Sequence, residues 1–178
     1  MTKYSNSMNR SALIDEPIVE MLLSKKYASS GISFQKEYKN STLMYSVNGV
    51  HKNLFIKRNS SKYYNSNNFF IALNKNRLDV FNNATYVFID EVSNALYLVD
   101  GMSLLKFILN HKDNINQIDN TENYYILISK ADIISLTDSK NQIINYNNQF
   151  ATLFKMYRDE SNFTNLMWFT LNNINIGY

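Results

Sequence analysis

The sequence predicts an α/β or α+β domain: a central mixed sheet of five or more strands with an N-terminal helix and further flanking helices. Three observations carry this expectation. Short apolar or alternating runs of strand length recur through the chain. One pair of them meets at Asn48-Gly49, the strongest short hairpin signal. Helically spaced apolar residues mark segments near the start, in the middle and towards the end.

The first element is a helix over about residues 12–28, where Leu13, Pro17, Val19, Leu22 and Leu23 are spaced for one face. Asp15-Glu16-Pro17 suits a first turn, because acids favour the positive end of the helix dipole and proline is tolerated at the first position. Lys25, Lys26 and Gly31 suit the stop. Residues 1–10 are expected to be a flexible N-terminus. Strands follow at 32–39 and 42–47, with a return strand at 51–58 beyond the Asn-Gly turn. Residues 59–68, NSSKYYNSNN, form a polar loop. Then come a strand at 69–73, a helical turn at 75–83, a strand at 84–92, a Ser93-Asn94 turn and a strand at 95–100. A helix at 101–112 leads through a polar connection, 113–122, to a buried strand at 124–129 and a short helix at 130–136. Another helix at 148–158 and a final strand or ordered tail, MWFTLNNINI, close the chain. There is no internal repeat and no linker, so residues 1–178 read as one domain, long enough to bury a core.

Composition narrows the function classes. Apolar residues at 45% and charged residues at 19% fit a globular protein. No apolar run approaches the roughly 18 residues of a membrane span, so no membrane partner is expected. The start, MTKYSNSMNRS, lacks the apolar core of a signal peptide. Without cysteine there is no disulfide framework and no thiolate metal site, and a reducing, cytoplasmic setting is the simplest expectation. His51 and His111 are too few for a histidine metal centre, so no metal ligands are assigned; a carboxylate-bound Mg²⁺ is the one metal chemistry left open. Asparagine takes about one residue in six, which with frequent Tyr, Ile and Lys points to an AT-rich genome, that of a bacterium or of a phage or plasmid within one.

The net charge of +3 is too mild to argue for nucleic acid by itself. Its distribution says more. Lys52, Lys57, Arg58, Lys62, Lys75 and Arg77 fall within one window that contains no acid. Such a window is either a solvated face or a binding surface. Tyr63 and Tyr64 stand among these cations, where exposed rings can stack on bases or anchor a protein partner. Asp90, Glu91 and Asp100 flank a turn, which acids commonly do without binding a metal. Phe69, Phe70, Tyr124, Tyr125 and Trp168 are expected in the core.

The order of helix, hairpin, strand ending in lysine, polar loop and paired apolar strands covers about residues 10–110. Together with the segment NGVHKNLFIKRNSS, it resembles the PD-(D/E)XK nuclease superfamily, above all the branches of Holliday-junction resolvases and small restriction-type endonucleases. That resemblance implies a strand-end lysine beside carboxylates holding Mg²⁺, which would activate water against a phosphodiester. On it, Lys57 matches the lysine, Glu20 the helix carboxylate, and Glu37 is the acid of the neighbouring strand; these three are the candidate catalytic residues. The chain departs from the pattern where two acids should stand: residue 55 is Phe, and the strand TLMYSV has none. The resemblance therefore implies a degenerate site. Lys52, Arg58, Lys62, Tyr63 and Tyr64 are the candidate nucleic-acid or partner contacts.

Three readings follow. The first is a nucleic-acid-associated protein without metal-dependent cleavage, needing no cofactor, with DNA as partner. The second is a small inhibitor or regulatory protein of a phage or other mobile element that binds a host or defence protein. The third is an active Mg²⁺-dependent endonuclease with relocated acids. Each is compatible with a homodimer.

Overall fold

A computed structural model describes residues 3–37, 42–58, 68–118, 122–137 and 142–156. The expected loop residues Lys62, Tyr63 and Tyr64, and Trp168 with the expected final strand, lie outside them.

Helix α1 (Lys3–Lys26) begins well before the expected start, so the segment expected to be a flexible terminus is helical from Lys3 on, and Pro17 lies inside the helix. A proline there removes one backbone hydrogen bond. Burial of Ile18, Val19, Leu22 and Leu23 on one face offsets it. Asp15 falls on that same face, at the spacing i, i+3, i+4, i+7, and is buried.

The chain then forms β1 (Ser33–Glu37), β2 (Thr42–Val47) and β3 (Val50–Arg58) as an antiparallel meander. Asn48 (φ 53°) and Gly49 (φ 79°) make the β2–β3 turn, the left-handed pair that an Asn-Gly hairpin uses. β4 (Asn68–Asn74) leaves this sheet, and after a 3₁₀ turn at Leu78–Phe81 the chain returns as β5 (Ala84–Asp90) and β6 (Ala95–Asp100). Helix α2 (Gly101–Asn110) follows directly, then a 3₁₀ turn at Lys112–Asn114, β7 (Asn116–Gln117), β8 (Asn123–Ser129), α3 (Lys130–Ser135), β9 (Ile143–Asn145) and α4 (Asn148–Met156).

The six-stranded sheet has the order β1-β2-β3-β5-β6-β9, and only the β3–β5 pair is parallel. β4, β8 and β7 form a separate three-stranded sheet. α1 and α4 cover one face of the large sheet, packing on Leu54, Val87, Ile89, Leu96 and Leu98. The small sheet, α2 and α3 cover the other face, packing on Tyr86, Phe88, Tyr97 and Val99. β5 is therefore buried along its whole length, as its unbroken apolar run ATYVFI requires.

Two expectations about the core change. β4 turns Phe69, Ile71 and Leu73 inward, which puts Phe70 on the outer face, where it stacks on Tyr125 at 5.2 Å. Leu127, opposite Phe70, is 39% exposed, so β8 is buried on one side only. No helix among the described residues is long and apolar enough to cross a membrane.

Candidate functional site at the carboxyl end of the parallel strands

In open sheets, ligands collect outside the carboxyl ends of parallel strands, at the point where neighbouring connections diverge. Here that end belongs to β3 and β5, because the chain leaving β3 departs to another sheet. Lys57, Arg58 and Asp90 end these two strands and Glu91 follows them. Buried charge is concentrated at the same place.

Strand alternation divides these residues between two faces. Arg58 points to the α1 side with Leu54 and Ile56. Its guanidinium donates Nη2 to Asp15 Oδ1 at 2.6 Å and Nε to Asp15 Oδ2 at 3.1 Å. Nη1 donates to Glu91 Oε1 and to the Phe154 carbonyl, both at 3.0 Å. The group also lies over the Phe154 ring at 5.4 Å. The side chains of Arg58, Asp15 and Glu91 are 9%, 5% and 12% exposed. A buried cation bound by two carboxylates joins α1, β3, the β5–β6 turn and α4. Deleting one member of such a set strands the others and costs about 3–5 kcal/mol. The sequence assigned Arg58 to a nucleic acid or partner; the structure instead turns it inward, because residue 58 shares its face with the buried Leu54.

Lys57 points the other way, on the face of Phe55, and pairs in register with Phe88. It is half-buried, and among the described residues it has neither an ion pair nor a carboxylate hydrogen-bond partner. Burial pushes its ammonium below the usual lysine range. Glu20 is not brought to it. That residue sits on α1, across the sheet, half-buried near Glu16 and Lys36; burial first, and the Glu16 charge second, push its carboxyl up, while Lys36 pulls it down. Glu16 itself takes Lys36 at 2.9 Å. Glu37 stands opposite Thr42 at the end of β1, an edge strand two strands away from β3; its side chain lies outside the described ones. Lys52, near the start of β3, faces the α1 side and reaches Asp100 at 3.6 Å. Five residues of strand, about 16 Å, separate it from Lys57.

Asp90 anchors a second cluster on the Lys57 face. Its Oδ1 accepts from the Val92 and Ser93 backbone N–H groups at 3.0 and 3.2 Å, closing the β5–β6 turn. Its Oδ2 accepts from Tyr97 Oη and Lys130 Nζ, both at 2.7 Å. Lys130 also donates to Ser93 Oγ at 2.6 Å, and Tyr146 Oη donates to the Asp90 carbonyl at 3.2 Å. Burial alone would raise the Asp90 carboxyl, but hydrogen bonds from Lys130, Tyr97 and Ser93 and the Lys130 charge hold it below the usual range. The turn-flanking reading of Asp90 therefore describes its contacts. Among the described residues, no three Asp, Glu or His side chains converge to hold a metal ion.

Sequence reasoning read Asp15 only as a helix-start acid and gave no site role to Asp15, Lys130, Tyr97 or Tyr146. Only Asp15 left a readable signal, since its spacing from Ile18, Val19 and Leu22 puts an acid on an apolar helix face. The others depend on long-range contacts.

No protein-family model matches the chain, and no curated protein matches it. Among solved structures it is similar to D212, a nuclease from a fusselovirus, with a TM-score of 0.42 and 14% identity over 87% of this chain and 95% of that one. A likeness at that level leaves function to be argued from the site itself.

Proposed function

We propose that this chain is a nucleic-acid-associated protein on a nuclease-type α/β scaffold that lacks metal-dependent cleavage at Lys57. One observation carries the reading: a half-buried ammonium ends β3 with no carboxylate bonded to it among the described residues, the neighbouring Asp90 being taken by Lys130 and Tyr97. A cation with no internal counter-ion is an acceptor for an external anion, and a phosphodiester supplies one. The buried acids at this end of the sheet are already taken: Asp15 and Glu91 are bound to Arg58 on the other face, and Asp90, on the Lys57 face, is held by Lys130, Tyr97 and the turn N–H groups. Mg²⁺ would find no carboxylate pair at the lysine among the described residues, and the reading invokes no cofactor. Contact rests on Lys57, with Lys62, Tyr63 and Tyr64 of the following segment as further candidates. Arg58 leaves the contact set because its donors are occupied internally, and Lys52 is tied to Asp100.

DNA binding measured against salt tests this. The log of the affinity should fall linearly with log salt. Lys57→Glu should weaken binding, whereas Lys52→Glu should change it little. Affinity independent of salt, or Lys57→Glu binding as the wild type does, would overturn the proposal. Plasmid incubated with the protein and Mg²⁺ or Mn²⁺ should stay intact, and cleavage abolished by Glu20→Gln or Glu37→Gln would restore the enzyme reading.

A further inference from the structure

We propose that Lys57 is a nucleophilic amine that forms a Schiff base with an aldehyde, and that the aldehyde is the ring-opened sugar of a base-less site in DNA. This rests on the function proposed above and names the substrate that the same site takes.

The amine is set apart by where β3 puts it. Lys57 shares its face of the sheet with Phe55, which packs against the core under the small sheet, and it stands in register with Phe88. Phe69 of β4 meets Phe88 edge-on at 5.1 Å, and β4 lies against β3. Lys57 thus has aromatic neighbours on its own strand and on the next, and it is half-buried rather than sealed. Asp90 follows Phe88 on the same face, with its Cα about 8 Å from that of Lys57. Its carboxylate is engaged by Lys130, Tyr97 and the turn N–H groups, so it does not bond the Lys57 ammonium.

The other described lysines differ. Lys36, Lys52 and Lys130 each meet a carboxylate, and Lys25, Lys75, Lys106 and Lys112 are exposed. Lys26 is half-buried as well, but its ammonium lies over the Tyr27 ring at 5.7 Å, a contact that favours the charged form. At Lys57, burial without a bonded carboxylate favours the neutral amine, the form that attacks carbonyl carbon.

The substrate follows from the electrophiles that DNA carries. Hydrolysing a phosphodiester in the manner of a metallonuclease calls on a metal-activated oxygen nucleophile, and no carboxylate set converges to hold a metal among the described residues. An amine instead attacks a carbonyl, and the aldehyde that DNA presents is C1′ of a deoxyribose that has lost its base. Lys57 Nζ bonds to that carbon, the two amine hydrogens leave with the carbonyl oxygen as water, and a carbon–nitrogen double bond remains.

Reductive trapping decides it. A duplex oligonucleotide with one base-less deoxyribose is incubated with the protein and sodium cyanoborohydride at neutral pH, where the hydride converts the imine to a stable amine. A covalent adduct should form, and mass spectrometry of its digest should place it on Lys57. That mapping uses the wild-type chain, so it stands whether or not a variant folds. Lys57→Arg, whose guanidinium stays protonated, should lose about tenfold or more of the trapping rate, whereas Lys26→Arg should not. The same duplex with every base present should give no adduct. Pyridoxal 5′-phosphate with borohydride tests the amine without nucleic acid and should mark Lys57 before the exposed lysines. Adduct spread over the exposed lysines, or a base-less duplex that binds in a salt-dependent way and is not trapped, would overturn this inference and leave the nucleic-acid reading standing. Binding of neither duplex at low salt would overturn both.

Discussion

Lys57 and Arg58 are adjacent in sequence and meet opposite environments, because successive strand side chains point to opposite faces. Arg58 gains two carboxylates and a carbonyl, whereas Lys57 is desolvated without compensation among the described residues. A lysine whose folded pKa is lowered destabilises the fold while it is charged. That penalty applies below the folded value and fades as pH rises through it towards the unfolded value near about 10.4. Lys57→Met should therefore raise Tm at neutral pH, by about 2–4 °C for each kcal/mol relieved, while weakening nucleic-acid binding. Calorimetry showing a lower Tm would mean that the amine has a structural partner. Asp90 has the opposite sign. Its depressed carboxyl contributes stability above the unfolded value near about 3.9, and this is lost as pH falls through the folded value. Asp90→Asn should destabilise at pH 7 and converge on the wild type in strong acid; thermal melts with a constant gap across that range would refute the assignment.

At the scale of elements, the junction of β6 and α2 is closely packed. Asp100 caps α2 through a bond from the Ser103 N–H at 3.3 Å, and Gly101 opens the helix against the Leu78–Phe81 turn. A Cβ at Gly101 would overlap the Phe81 carbonyl and crowd the Ala84 side chain. Alanine would favour the helix by up to about 1 kcal/mol, but its methyl meets backbone that cannot swing aside. Gly101→Ala should therefore cost about 1–3 kcal/mol net. A denaturant midpoint equal to that of the wild type would show that the turn and helix can separate. The hairpin at Asn48-Gly49 behaves as local chemistry dictates, since both residues take positive φ.

For the whole molecule, the large sheet is the shared wall of two cores. Leu23 lies in the core under α1 and Ile128 in the core under the small sheet, each about 1% exposed. Because β5 and β6 contribute side chains to both cores, the two should melt together. Leu23→Ala and Ile128→Ala should each cost about 2–5 kcal/mol and still show one transition by both near- and far-ultraviolet circular dichroism. A biphasic melt confined to Ile128→Ala would mark the small sheet as a separately unfolding unit.

What the sequence determined by itself is local: the kinds of most elements, the Asn-Gly hairpin, and the strand ending in Lys57-Arg58. These follow from periodicity and turn chemistry acting over a few residues. Even there Asp15-Glu16-Pro17 misled, since those residues sit inside α1, where packing outweighs local start signals. Only the tertiary structure decided that β4 and β8 pair in a second sheet, that β9 completes the first, and that Arg58 meets Asp15 and Glu91, 43 and 33 residues away in sequence. Strand partners and buried ion pairs depend on which distant segments the two cores bring together, and no short window of sequence contains that information.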